Sequence, residues 1–144
     1  MTVHAMTVIR IDCDATWRAV PADPGRPPGR CGGTEPVPVT PRAVLWVSPP
    51  GAQARPNALA SALLTFLQLP IRQLHGPAYL TGRGAATPAS AVALTPTQLR
   101  AFASTLHALQ AMPDYLALHA QACRIAAAWL CPTGSVQPRD GSFS

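Results

Sequence analysis

The chain has 144 residues, 48% of them hydrophobic, with 17 prolines and a formal net charge of +5 whose basic side is all arginine. This is enough to bury one core and not two, so a single domain is expected, and the lack of any lysine excludes motifs that require one, such as a phosphate loop. No run approaches about 18 apolar residues, so no membrane span is expected; the richest stretch, Leu116 to Cys131, is broken by His119, Gln121 and Arg124.

Met1-Thr2-Val3 recurs as Met6-Thr7-Val8 with no basic segment and no long apolar run, so no secretory signal is expected and Met6 is a second candidate start. Met6 to Ile11 is a β-branched run suited to a strand. Asp12-Cys13-Asp14-Ala15 has turn chemistry, because short acidic side chains bond their own backbone. Thr16 to Val20 then returns as the second strand of a hairpin. Residues 21–41 form a loop rich in Pro and Gly, and Pro24 to Arg30 can enter neither helix nor central sheet. Within it Glu35 to Val39 alternates Pro and Val, as an edge segment can. Arg42 to Val47 is an apolar run that predicts a strand buried on both faces, ended by Pro49-Pro50-Gly51.

Asn57 predicts a helix start, its carboxamide accepting from a free N–H of the first turn. Leu59, Ala62, Leu63, Phe66 and Leu67 follow on one face, and Pro70 closes the helix. Ile71 to Leu74 and Pro77 to Thr81 read as short β pieces around His75-Gly76, with a loop from Gly82 to Ser90. Thr95-Pro96-Thr97-Gln98 is a capping box with Pro at the first helical position, followed by Leu99, Phe102, Leu106 and Leu109. Pro113-Asp114 starts a last helix with the stripe Tyr115, Leu118, Ala122, Ile125 and Trp129, ended by Pro132. The expected fold is a small α+β domain over residues 6–131. An N-terminal β-hairpin and further short strands pack against three helices, the last two an αα-hairpin, and residues 132–144 form a flexible tail. The strand order is not legible at this stage.

A strand ending in Asp12-Cys13-Asp14-Ala15-Thr16 resembles the first signature of the haloacid-dehalogenase-like phosphohydrolases. The resemblance implies Asp12 as nucleophile, Asp14 as general acid/base and a shared magnesium ion, with Ser48 loosely matching the second signature. The lysine that signature set requires is missing, and Glu35, Asp114 and Asp140 do not follow strands as its metal-binding acids would. Turn chemistry is therefore the preferred reading of Asp12 and Asp14.

His119 and Cys123 are four apart on one helix face, a spacing zinc accepts, but no Cys-x2-4-Cys pair supplies the remaining ligands. No metal or other cofactor is expected, and Cys13, Cys31, Cys123 and Cys131 read as free thiols in a reducing cytoplasm. No Gly-x-Ser-x-Gly elbow occurs, Gly82-Arg83-Gly84 is too short for a phosphate loop, and His75 and His107 read as surface or satisfied residues. The last helix would present Asp114, Tyr115 and Leu116 to a DNA groove, a poor set for facing phosphates. Arg26 and Arg30 are candidates for a flexible arm on nucleic acid, although a solvated linker is the simpler reading.

The ordered blocks from Val8 to Leu109 resemble a family of small uncharacterised proteins, a domain of unknown function found in phages, plasmids and actinobacterial genomes. The blocks are the opening hairpin, Leu45-Trp46-Val47, Pro56-Asn57-Ala58-Leu59-Ala60-Ser61-Ala62-Leu63, Gly76-Pro77-Ala78-Tyr79-Leu80-Thr81-Gly82 and Leu94-Thr95-Pro96-Thr97-Gln98-Leu99. The Pro-rich insertion and the final helix depart from that pattern. The resemblance implies a mobile-element context and no activity. The expected function is thus that of a cytoplasmic, non-enzymatic accessory or regulatory protein acting through protein contacts, with self-association through the C-terminal helices. Trp46, Trp129, Tyr79 and Phe143 are candidate interface aromatics, the tryptophans doubling as core candidates. The alternative is arginine-mediated nucleic-acid binding that falls steeply with salt.

Overall fold

The computed structural model describes residues 6–22, 35–48, 54–83 and 91–130, without the side chains of 126–130. The chain runs β1 (Met6–Ile11), β2 (Trp17–Ala22), β3 (Glu35–Thr40), β4 (Ala43–Val47), α1 (Ala58–Phe66), β5 (Ala78–Arg83), β6 (Ala91–Val92), α2 (Pro96–Gln110) and α3 (Pro113–Leu130). The strands form one six-stranded sheet in the order β2-β1-β5-β4-β3, with β6 on β5, and every pairing is antiparallel. This is the expected α+β domain, with its opening hairpin and its C-terminal helix pair.

The three helices pack on one face of the sheet. Ile9, Ile11, Leu45, Val47 and Leu80 meet Leu59, Leu63, Phe102, Leu106, Leu109 and Leu116 in one continuous core. On the opposite face Met6, Val8, Val44, Trp46 and Ala91 form a second cluster. Strand β4 lies between the two, so all five of its residues are buried, as its unbroken apolar run predicts. Trp46 is a core residue here, 1% exposed, with its indole N–H donating to Thr81 at 2.9 Å.

Both helix starts follow their sequence signals. Asn57 accepts from the Ala60 N–H, and the Thr95–Gln98 capping box is complete. Helix α1 ends at Phe66, before Pro70 could act. Gln68 takes a left-handed φ of 64° and donates to the Thr65 carbonyl, while Leu69 donates to Leu64, so backbone turning terminates the helix.

Several expectations are corrected. Ile71 to Leu74 is not a strand: Leu74 donates to the Ser61 hydroxyl and accepts from Asn57 N–H, and only His75 bridges Pro56. Strand β5 continues through Gly82 and Arg83 into the expected loop, because β6 pairs with both. A Cβ on Gly82 would lie 2.7 Å from the Ala93 carbonyl, so a glycine is required for that approach. Within 21–41, Pro21 and Ala22 end β2, and β3 lies at the sheet edge as its Pro-Val alternation suggests. Phe66 is 55% exposed and leaves the α1 stripe. On α3 the buried line is Leu116, His119 and Cys123, whereas Leu118 and Ile125 of the expected stripe are 66% and 53% exposed. The inward side packs Leu116 and Cys123 and gives His119 a hydrogen bond to Thr65 of α1. Cys31, Cys131, Arg26, Arg30, Phe143, residues 132–144 and the Trp129 side chain lie outside the described residues.

Candidate functional site

The hairpin turn between β1 and β2 is where the sequence concentrates its acids, and it opens onto a shallow cleft. Arg10, Asp12, Cys13, Asp14, Ala54, Arg55, Gly76 and Pro77 line about 360 Å³. The turn is closed by Asp12 N–H donating to Thr16 at 2.8 Å and Ala15 N–H donating to Asp12 at 3.2 Å, with Ala15 at a left-handed φ of 65°. Helix α2 clamps it from below: Gln110 donates to the Ala15 carbonyl at 2.8 Å and accepts from the Trp17 indole at 2.9 Å.

Both carboxylates are committed to local partners. Arg10 donates to Asp12 at 2.7 Å and its guanidinium lies 5.7 Å from the Tyr79 ring centre. Asp14 accepts from the Thr16 hydroxyl and the Thr16 N–H. The Thr16 hydroxyl bond holds the exposed Asp14 carboxyl below its ordinary pKa, with Arg55 adding to the effect. General acid–base work needs a group poised near the working pH, and Asp14 is moved away from it. Strand β1 also runs antiparallel to both neighbours, whereas the phosphohydrolase signature belongs at the end of a parallel strand. The arrangement is a charge-balanced turn: two acids beside two arginines, with the Cys13 thiol donating to the Arg55 carbonyl at 3.3 Å.

The His119–Cys123 pair is brought together, but inside the protein. His119 Nε2 shares a hydrogen bond with the Thr65 hydroxyl at 2.6 Å, and Nδ1 lies 3.4 Å from the Cys123 sulfur. The Cys123 thiol also reaches the Arg72 carbonyl at 3.7 Å. Burial lowers the His119 pKa and raises that of Cys123, so each prefers its neutral form. Both imidazole nitrogens face protein partners, and among the described residues no group of three His, Cys, Asp or Glu is placed to hold a metal ion. Cys13 and Cys123 are free thiols.

Besides Arg10 and Arg55 at the cleft, a second pair of arginines is brought together by the register. Arg10 and Arg18 stand directly opposite each other across the hairpin, on the sheet face away from the helices. Their equal spacing from the Asp12–Thr16 turn was the available signal. The other feature is apolar: Leu118 and Ile125, two turns apart on α3, face outward with half-buried Ala122 between them. Among the described residues no helix is long and apolar enough to cross a membrane. Compared with protein-family models, with curated proteins and with solved structures, the chain has no match.

Proposed function

We propose that the chain is a non-enzymatic accessory protein of the cytoplasm, working through protein contacts on the outer face of α3, with a second copy as the partner. The observation that carries this reading is the exposure of Leu118 and Ile125, 66% and 53%, on one side of a helix whose other side already packs on α1. Withdrawing a large aliphatic side chain from water is worth about 1.5–3 kcal/mol. A symmetric contact would count each of the two residues twice. A copy of the same helix fits, because a two-fold contact sets the same two aliphatic side chains of each α3 against those of the other. The committed carboxylates of the hairpin cleft support the non-enzymatic part.

Light scattering over a concentration series tests the proposal. The expected result is a mass above the monomer at tens of micromolar, returning to the monomer in Leu118→Glu/Ile125→Glu. A wild-type monomer at every concentration, or an oligomer that the double variant leaves intact, would overturn it.

A further inference from the structure

The two outer edges of the sheet differ in which backbone groups they offer. Directly opposed residues in an antiparallel pair alternate between exchanging hydrogen bonds and exchanging none. Asp12 donates to Thr16, the residue opposite it, so the bonded pairs that follow are Arg10 with Arg18, Val8 with Val20 and Met6 with Ala22. Trp17, Ala19 and Pro21 therefore turn their backbone groups away from β1. Pro21 agrees with this phase, because proline is tolerated in a strand where its missing N–H would face outward.

The same rule puts Pro36 and Pro38 at the outward positions of β3, leaving the middle of that edge without donors. The β2 edge keeps the N–H groups of Trp17 and Ala19 and three carbonyls. Among the described residues none of these has a backbone partner, and Ala19 is exposed.

Charge selects the occupant. Arg10 opposite Arg18 is a like-charge cross-strand pair, which weakens a sheet. Asp12 neutralises Arg10, whereas exposed Arg18 has no carboxylate partner among the described residues. On an antiparallel strand added to β2, the residue facing Arg18 falls in a non-bonded pair, where opposed side chains come closest. We propose that β2 takes up an extended acidic peptide as an added antiparallel strand, its backbone on Trp17 and Ala19 and a carboxylate opposite Arg18. This surface is separate from α3, so the proposal stands or falls independently of the reading above.

The test uses the full chain and two short blocked peptides of alternating valine and threonine, one with a central glutamate and one with lysine there. Amide exchange followed by NMR should show the glutamate peptide protecting the Trp17 and Ala19 amides. The lysine peptide should bind roughly fivefold more weakly, and Arg18→Glu should reverse that order. Ala19→Pro removes only an outward donor, so the variant should fold with a native-like spectrum and lose peptide binding. Three results would overturn the proposal: no protection of those two amides at millimolar peptide, equal binding of both peptides, or protection by a single-stranded oligonucleotide alone.

Discussion

The carboxamide of Asn57 sits at 0% exposure and uses both ends on three separate parts of the chain. Its nitrogen donates to the carbonyls of Ile11 and Gly76, each at 2.9 Å, and its oxygen accepts from Ala60 N–H at 3.1 Å. The end of β1, the left-handed Gly76 and the start of α1 are thereby fixed to one another. As a helix cap alone, Asp would serve as well as Asn. As a donor to two buried carbonyls it cannot serve at all, because an ionised carboxylate only accepts. Asn57→Asp should therefore lower stability at pH 7 by about 3 kcal/mol, read from the denaturant midpoint, and recover partly in acid as the carboxyl protonates. A loss within a few tenths would mean that capping is the whole role of Asn57.

Helix α3 buries a polar residue on the side that faces inward. The sequence offers apolar residues on both sides, and hydrophobicity alone favours Tyr115, Leu118, Ala122 and Ile125. The observed choice gives His119 the Thr65 hydroxyl and puts Cys123 beside it, at the cost of leaving Leu118 and Ile125 in water. This choice carries a pH dependence. Burial lowers the folded pKa of His119 below that of the unfolded chain, near 6.5, so between the two values the unfolded state binds the extra proton. The stabilisation is complete above about pH 6.5 and is lost as the pH falls through the folded pKa. His119→Gln should make that slope shallower in denaturant titrations below about pH 6.5. Equal slopes in the two proteins would show that His119 is as free to charge when folded as when unfolded.

The elements that could be read from sequence are those set by neighbours in the chain. The capping box at Thr95, the Asn57 cap, the turn at Asp12 and the closed run of β4 each need only a few adjacent residues. What could not be read depends on contacts between distant segments. The inward face of α3 meets Thr65, 54 positions away, and β6 lies where Gly82 admits a close backbone. The placing of β5 between β1 and β4 is likewise a tertiary fact. For the candidate sites, the turn chemistry of Asp12 and Asp14 was legible, whereas the open β2 edge needs the ladder phase, which only the register supplies.

At the scale of the whole molecule, a sheet covered by helices on one face still has two edges, and exposed edges invite pairing between chains. Here one edge is closed by composition. Pro36 and Pro38 are exposed and occupy the outward positions of β3, so a strand approaching there meets carbonyls and no central N–H. Replacing both with threonine restores two donors and a residue that favours strands, while the inward bonds of Val37 with Leu45 stay in place. In the Leu118→Glu/Ile125→Glu background, where contacts through α3 are removed, Pro36→Thr/Pro38→Thr should raise the mass seen by light scattering as concentration increases. The parent should remain monomeric over the same range. If both stay monomeric, the β3 edge is kept inert by its twist or its neighbours, and the two prolines serve only to stiffen the segment that leads into β4.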